Sequence, residues 1–347
     1  MTAESHNHAN LDPRCVVRLV RESVARCRLD LRDKIVLTEA ATSAYVVTPV
    51  IAAVAGARHI YAMTRASRYG TVQEVVEQTT ELARLAGVEE RISIVTHIDP
   101  DLIGRCDVVT NSGHVRPIGR AMIECMKPDA VVSLMYEPWE FRPADVDVEA
   151  CRDRGIRIAG TNESHPKVDV FGHLSGMALS LLASAHVAAS FARIVVLCDN
   201  AFASWLRDGL TNVGARVEVV ADLADAQSET ADAVLVAQTP RSTDVIAHGE
   251  AELIAARWPG APVVQFWGDI ARDALRRAGV RFMPLAAPAR GHMGILPSSL
   301  GPEVVIRLQT GGLKVAEVVL RNAEPSEDDD WQYVRWLEAT RAPRCVA

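Results

Sequence analysis

The 347-residue sequence predicts an α/β protein in which two parallel-sheet domains follow one another. Apolar runs of strand length alternate with helical patterns along most of the chain, which is typical of parallel sheets covered by helices. The order of these runs in residues 34–160 recurs in residues 193–285. Polar and ionisable residues follow the strands of the first half rather than precede them. These three observations predict two Rossmann-like units in pseudo-repeat, with a cleft between the domains.

Six strands are predicted in the first half, each an apolar run bounded by turn or helix signals. They cover residues 34–39, 59–64, 91–96, 107–112, 130–136 and 156–160. The clearest helix covers residues 71–87. Its periodicity predicts one apolar face made of Val75, Val76, Leu82, Leu85 and Ala86.

The second half begins in the same way as the first. Segment 193–220 aligns with 34–63, and segments 231–246, 261–269 and 274–285 match 106–122, 129–140 and 150–160. Four matched landmarks in one order favour a duplicated unit. The alternative is that any two α/β units share this strand–helix–strand order.

The domain organisation follows from this repeat. We expect an N-terminal helical segment (1–33), a cofactor domain (34–167), a small, apolar connector helix (168–190), a second Rossmann-like domain (191–290), and a lid loop with C-terminal helices (291–347). Helical patterns at 12–29 and 331–341 either cross back over the opposite domain or form a subunit interface.

Composition excludes several classes of partner. The net charge of −7 argues against nucleic acid and anionic membranes, since both require a basic surface. No apolar run approaches the roughly 20 residues that span a bilayer, and no secretory signal is visible. Seven scattered cysteines without a C-x-x-C pair favour free thiols in a reducing cytoplasm. We expect a cytoplasmic homodimer with a small-molecule substrate and no metal site.

The turn after the first strand lacks the glycines of a dinucleotide-binding fingerprint. Thr42 and Ser43 could still bind an anion through a hydroxyl and the backbone N–H groups of a helix N-terminus, or they could form a plain N-cap. After the second strand, an NAD site usually has an acidic residue, whereas this chain has hydroxyls and arginines. These residues suit a 2′-phosphate and favour NADP over NAD, or else they are solvated surface charges: Thr64, Arg65, Ser67 and Arg68.

The segment 160–169 carries the strongest catalytic candidates. His165 with Glu163 or Asp169 could form an oriented acid–base pair, and Lys167 could neutralise a substrate oxyanion. The alternative is that Asp169 caps the next helix and His165 satisfies a backbone carbonyl.

Two further loops contain candidates. His114 and Arg116 follow the fourth strand, where a histidine could transfer protons and an arginine could bind a carboxylate or phosphate. Glu137, in a loop with two aromatic residues and Arg142, could be partly desolvated and act as an acid or base. The alternatives are a simple loop histidine and a Glu–Arg pair that braces the loop.

The second half contributes substrate-contact candidates. Asp199 and Asn200 follow its first strand, and Arg290 and His292 lie in a Gly/Pro-rich segment, residues 287–301, that we interpret as a lid. We expect Arg290 to anchor an anion.

Residues 34–165 resemble two-domain NAD(P)-dependent dehydrogenases. Segment 106–141, with "MKPDAVV" at 126–132, is similar to the cofactor domain of 2-hydroxyacid dehydrogenases, and "TRASR" at 64–68 looks like the NADP-reading turn of shikimate dehydrogenases. The resemblance implies a nicotinamide cofactor, with Asn111 and Ser112 at the end of the strand that faces it. The chain departs from the family in two ways. It lacks the glycine fingerprint, and it lacks the family's Arg-Gly pair, so that Arg142 is the only residue to which the arginine of that pair could correspond.

We therefore expect an NAD(P)-dependent oxidoreductase that binds a small anionic carbonyl or hydroxy compound in the cleft, with NADP preferred. The first alternative is a twin-Rossmann transferase or epimerase that acts on a nucleotide-activated substrate without nicotinamide. The second is a non-catalytic protein that closes on a small ligand.

Overall fold

The computed structural model describes residues 12–321 and 329–337. The chain divides into two compact units. The first unit contains the chain up to Val170 together with the chain from Gly301 onward, and the second unit is Phe171–Leu300. The boundary lies inside the predicted connector 168–190, and residues from Phe171 on belong to the second unit.

Twelve strands are present in the described residues. They are β1 (Ile35–Glu39), β2 (His59–Met63), β3 (Ile92–Val95), β4 (Val108–Thr110), β5 (Val131–Leu134), β6 (Arg157–Thr161), β7 (Arg193–Leu197), β8 (Arg216–Val220), β9 (Ala233–Ala237), β10 (Val263–Trp267), β11 (Phe282–Met283) and β12 (Val334–Trp336). The six strands predicted in the first half are confirmed.

Eleven α-helices lie in the described residues. They are α1 (Pro13–Cys27), α2 (Val47–Val54), α3 (Val72–Ala86), α4 (Pro100–Ile103), α5 (Arg120–Cys125), α6 (Val148–Arg154), α7 (Leu174–Ser184), α8 (Phe202–Asn212), α9 (His248–Arg257), α10 (Arg272–Arg277) and α11 (Pro302–Arg321). In this part of the chain, none of them is both apolar enough and long enough to cross a membrane.

The first unit contains a seven-stranded sheet in the order β12-β6-β5-β4-β1-β2-β3. Strands β1 to β6 are parallel, and β12 is antiparallel to β6. The parallel part therefore has the order 3-2-1-4-5-6, which is that of dinucleotide-binding folds. The second unit has a five-stranded parallel sheet, β11-β10-β9-β7-β8, which corresponds to the flavodoxin-like order 2-1-3-4-5. The α/β class and the two parallel-sheet units are confirmed.

The C-terminal segment differs from the prediction. Residues 334–336 form strand β12 rather than part of a helix, because their backbone pairs with Thr161, Gly160 and Ala159 at the open edge of β6. Residues 338–341 of the predicted helix lie outside the described residues.

Helix boundaries follow from local sequence signals. Asp12 caps α1 through Arg14 N–H, with Pro13 at the first helical position. A capping box of Thr71 and Glu74 begins α3, and Gly87 ends it in the left-handed conformation.

The apolar face predicted for α3 differs from the face that is buried. Val75, Leu82 and Ala86 are buried, but Val76 and Leu85 are exposed. The five predicted residues span a wider arc than the stripe that packs on the sheet.

Helices cover both faces of the first sheet. Core residues of α1, α2, α3 and α11 pack together on one face, and those of α4, α5 and α6 pack on the other. Helix α11 returns the chain to the first unit. It approaches β5 closely, since the Ser133 hydroxyl donates a hydrogen bond of 2.6 Å to the carbonyl oxygen of Gly312.

Candidate functional site

The carboxyl ends of β1, β2, β4, β5 and β6 meet at one edge of the first sheet, because these strands are parallel and adjacent. The order of the strands reverses between β1 and β4, which is where open α/β sheets bind ligands. The residues that end or follow these strands at this edge are Glu39, Thr64, Arg65, Asn111, Ser112, His114, Tyr136, Glu137, Asn162, Glu163 and His165.

Three side chains form a row across the reversal point. Val36 and Leu37 pair with Val108 and Val109, and continuing this register brings Glu39 opposite Asn111. Asn111 Nδ2 donates a hydrogen bond of 2.5 Å to the Tyr136 hydroxyl. The Oδ1 atom of Asn111 is buried and has no hydrogen-bond partner among the described residues. A buried acceptor without a partner is uncommon in folded proteins and marks this position as a candidate for a ligand's donor.

The loop after β4, residues 111–117, is held from three directions. Glu39 Oε2 accepts the His114 backbone N–H at 3.1 Å. Arg65 donates to the carbonyl oxygens of Gly113 (3.3 Å) and Arg116 (3.0 Å). The Arg116 guanidinium pairs with Asp145 at 2.8 Å. The loop is therefore fixed to β1, β2 and the segment before α6.

The His114 side chain is half-buried at this edge. Burial and the positive charge of Arg65 both lower its pKa below the ordinary value for histidine. Within the described ranges, no residue makes a hydrogen bond to its imidazole. A neutral histidine with unoccupied ring nitrogens, close to an arginine, can accept a proton from a ligand.

A second cluster contains three carboxyl groups at the ends of β5 and β6. Glu137 Oε1 accepts the Glu163 backbone N–H at 2.9 Å, and the Glu163 and Glu140 carboxyls form a hydrogen bond with each other. Burial, with the charges of Glu140 and Glu137, raises the pKa of Glu163 well above its usual range. Glu140 is exposed, but desolvation by the surrounding protein and the charge of Glu137 raise the pKa of its carboxyl to about 7. The raised pKa of both carboxyls favours a form in which one of them carries a proton.

Tyr45 lies in a single-turn helix, Ser43–Val46, that precedes α2. Its phenol lies near both Glu39 and the carboxyl groups at the ends of β5 and β6. Burial and the charges of Glu39, Glu163 and Glu140 raise the pKa of this phenol to about 12. The edge thus concentrates acidic groups around an aromatic hydroxyl.

The predicted pair of His165 with Glu163 is not brought together as expected. The Glu163 carboxyl bonds to Glu140, and Asp169 pairs with Arg307 at 3.4 Å. The His165 ring stacks on Tyr333 with centroids 3.8 Å apart, and burial and the charge of Lys167 lower the pKa of His165. Helix α7 begins only at Leu174, so Asp169 does not cap it.

The turn after β1 uses its donors within the protein. The Thr42 hydroxyl donates to the carbonyl oxygen of Tyr69 at 3.0 Å, and the Ser43 N–H donates to Gln78 Oε1 at 3.0 Å. Ser43 has a φ of +59°, in the left-handed region that a fingerprint glycine would adopt without strain. These contacts support the plain structural interpretation of this turn over a pyrophosphate site.

The predicted 2′-phosphate residues follow β2 in an exposed segment, except for Thr64, which is buried. Thr64 Oγ1 has no partner among the described residues. Arg65 uses one terminal nitrogen for the 111–117 loop, and Arg68 stacks over the ring of Tyr69 at 4.7 Å. Ser67 Oγ accepts the Tyr69 N–H at 3.1 Å.

Several other candidates have structural partners. Ser112 Oγ is within 2.9 Å of Thr110 Oγ1, on the face opposite Glu39. Arg142 is exposed and its charge is near Glu140. Lys167 is half-buried, and its backbone carbonyl accepts a hydrogen bond from Arg26 at 2.9 Å.

The candidate substrate-contact residues of the second unit make hydrogen bonds and ion pairs that stabilise the loops of that unit. Asn200 Oδ1 accepts the Phe202 N–H at 3.0 Å and so begins α8. Burial acts to raise the pKa of Asp199, but hydrogen bonds from Thr239 and Arg241 outweigh it, so the pKa is lowered. Arg290 is not a free anion anchor, because it pairs with Asp244 at 3.0 Å and donates to the Ser242 carbonyl at 2.6 Å. His292 is exposed in the loop that Arg290 fixes.

Sequence reasoning missed Glu39, Tyr45, Asp145 and Tyr333. Glu39 could have been recognised from the sequence, since it is a carboxylate at the end of β1, whose other residues are uncharged. The others depend on contacts between segments that are distant in sequence.

No protein-family model matches the sequence, and no curated protein matches it. Among solved structures, one of the polypeptides of dipicolinate synthase from Bacillus halodurans matches with a TM-score of 0.54 and 12% identity, over 85% of this chain and 100% of that chain. The corresponding dipicolinate synthase polypeptide from Bacillus subtilis matches with a TM-score of 0.55 and 10% identity, over 86% and 100%. NAD-dependent formate dehydrogenase from Staphylococcus aureus, in complex with NAD, matches with a TM-score of 0.48 and 16% identity, over 85% and 97%. At the level of the fold, the expected resemblance to two-domain Rossmann proteins is confirmed.

Proposed function

We propose that this protein is an NAD(P)-dependent oxidoreductase that acts on a small anionic carbonyl or hydroxy compound. One observation carries the proposal: the first sheet has the strand order of dinucleotide-binding folds, and at its reversal point a neutral histidine without a partner among the described residues lies close to Arg65. The combination of a cofactor-type sheet with a proton-transfer group and positive charge fits redox chemistry on an anionic substrate.

The residues at this edge fit a nicotinamide dinucleotide in part. Arg65, Arg68 and Ser67 would hold a 2′-phosphate, and the unsatisfied Asn111 Oδ1 would accept a donor of the cofactor. When bound, the cofactor would supply hydride exchange with the substrate carbon. The turn at Thr42 and Ser43 offers less, because its hydroxyl and N–H are already used.

The chain's own groups would do the remaining work. His114 would donate or accept the proton at a ring nitrogen. Its lowered pKa keeps the imidazole neutral at pH 7, so that a ring nitrogen can accept the proton of a substrate hydroxyl during oxidation, and the imidazolium so formed would return that proton in the reverse reaction. Arg65 retains guanidinium N–H groups beyond those bound to the 111–117 loop, and these would bind the 2′-phosphate of the cofactor.

The occupied donors of Thr42 and Ser43 favour one alternative, a transferase or epimerase that takes a nucleotide-activated substrate without nicotinamide. Such an enzyme needs the same edge of the sheet. It does not need a pyrophosphate at this particular turn.

Titration of the purified protein with NADPH and NADH, followed by nicotinamide fluorescence, tests the proposal. We expect saturable binding of NADPH that is tighter than that of NADH. Arg65→Ala removes charge-assisted hydrogen bonds and should weaken NADPH binding by about 10- to 100-fold. Arg105→Ala is the matched control, because Arg105 is equally exposed but precedes β4 at the opposite edge of the same sheet.

Two results would reject the oxidoreductase. The first is absence of binding by either reduced dinucleotide together with a thermal shift caused by a nucleotide sugar, which would support the transferase. The second is NADPH binding that Arg65→Ala and Arg105→Ala weaken equally.

A further inference from the structure

The 111–117 loop carries the proposed proton-transfer residue, and part of what holds it comes from residues outside the loop. We propose that Glu39 is the positioning residue of this loop, holding His114 over the ends of β1 and β4 through the backbone N–H groups of Gly113 and His114. The importance of this role rests on the proposed function of His114, whereas the contact itself does not.

The placement of Glu39 supports this role. It is the last residue of β1 and is only 8% exposed. Alternation along the strand brings its side chain to the same face as Leu37, whose apolar neighbours include Met63 and Val109. A carboxylate at such a position is costly unless hydrogen bonds compensate for lost hydration.

Those hydrogen bonds come from the loop. Glu39 Oε2 accepts the backbone N–H of His114 at 3.1 Å. Burial raises the pKa of Glu39, and the backbone N–H groups of His114 and Gly113 and the nearby charge of Arg116 oppose that shift. The Glu39 carboxyl therefore acts as a clamp on the loop backbone at His114, with the Gly113 N–H beside it.

Gly113 is the residue that allows the close approach. A Cβ atom added to Gly113 would lie 3.1 Å from Glu39 Oε2, which is tighter than most such contacts. Gly119, just beyond this loop and immediately before α5, has no atom within 4 Å of an added Cβ. The two glycines thus form a matched pair, in which only Gly113 touches the clamp.

Arg65 and Arg116 hold the same loop differently. Arg65 contacts the carbonyl oxygens of Gly113 and Arg116, and the Arg116 side chain contacts Asp145. None of these contacts engages the N–H groups of Gly113 or His114. Loss of Glu39 should therefore release these two amides and the His114 ring without unfolding the sheet.

Amide hydrogen exchange by mass spectrometry on the free protein tests this proposal, with Glu39→Leu, Glu39→Gln, Gly113→Ala and Gly119→Ala. We expect exchange within residues 111–117 to accelerate about tenfold in Glu39→Leu, the amount that corresponds to one net hydrogen bond. Exchange within residues 111–117 should also accelerate in Gly113→Ala. Glu39→Gln keeps an acceptor oxygen and should rescue most of the protection, and Gly119→Ala should match the wild type.

The second readout is the rate at which diethyl pyrocarbonate modifies His114, relative to exposed His97. We expect this ratio to rise in Glu39→Leu and Gly113→Ala only. Wild-type exchange and labelling in both of these variants would overturn the proposal, as would equal acceleration in Gly119→Ala. If Glu39→Leu does not fold, Gly113→Ala and Glu39→Gln decide the question. Neither readout uses a dinucleotide, so a failed NADPH titration would reject the proposed function and leave this result intact.

Discussion

The backbone N–H of Lys167 donates a hydrogen bond to Nδ1 of His165 over 3.2 Å. Nδ1 must carry a lone pair to accept it, so the neutral imidazole carries its proton on Nε2. His165, the strongest catalytic candidate from sequence, is thus a fixed donor that stacks on Tyr333. It is poorly arranged to act as a base through Nδ1.

We predict that His165 is neutral at pH 7 and in the Nε2–H form, because burial and Lys167 lower its pKa. Two-bond proton–nitrogen correlation spectra of the imidazoles measure this directly. A protonated Nδ1 at pH 7 would contradict the assignment. His165→Gln provides the control that identifies the resonance.

The Glu140–Glu163 pair predicts a loss of stability as pH rises. The pKa of both carboxyls is raised, that of Glu140 to about 7. For a raised pKa, the favourable contribution is present below the ordinary value for glutamate and is lost as pH rises through the folded value. Glu163→Gln removes this dependence, so it should melt closer to the wild type at pH 5 and above it at pH 8.

Thermal unfolding at pH 5, 6, 7 and 8 measures the effect. Glu81→Gln is the control, since Glu81 is exposed on α3 and lies outside the cluster. A Glu163→Gln variant that melts below the wild type by the same amount at every pH would show that the two carboxyls do not share a proton.

Tyr136 links Asn111 to Asp145, accepting from one and donating to the other at 3.2 Å. Tyr136→Phe would remove the hydrogen-bond partner of the buried Asn111 Nδ2, in a side chain whose Oδ1 has no partner among the described residues. We expect the free energy of unfolding to fall by about 1–3 kcal/mol. Tyr69→Phe, at an exposed tyrosine, should change it by less than about 0.5 kcal/mol. Urea denaturation measures both, and equal effects would contradict the proposed burial of the Asn111 amide.

Gly209 in α8 lies against Ser175 in α7, and an added Cβ would be only 2.2 Å from that of Ser175. Gly209→Ala should therefore destabilise the second unit by about 1–3 kcal/mol. Adding Ser175→Gly should recover part of the loss. Gly249→Ala in α9 meets no atom within 4 Å and should instead stabilise by about 0.4–1 kcal/mol. A neutral Gly209→Ala would contradict the close packing of the two helices.

Much of the fold could be predicted because its signals are local. Apolar runs such as residues 34–39 and the capping box at Thr71 depend only on neighbouring residues. The polar residues after the strands could also be assigned to one sheet edge, since parallel strands carry their carboxyl ends to the same side. The cleft between the two units, NADP preference and a homodimer stay predictions.

The remaining features depend on contacts between distant segments. Strand β12 pairs with β6 across a long stretch of chain, and nothing in residues 334–336 distinguishes that strand from a helix. His165 could be recognised as a polar residue near a strand end, but its stacking on Tyr333 requires the same C-terminal segment. Glu39 was overlooked because a carboxylate ending a strand becomes meaningful only when the loop over it is known.

A crystal structure of the protein with NADPH tests the central claim most directly. We expect the dinucleotide at the carboxyl edge of the first sheet, across the ends of β1 and β4, with Arg65 on its phosphate and His114 facing the nicotinamide. A dinucleotide on the second unit, beside Asp199 and Thr239, would contradict it.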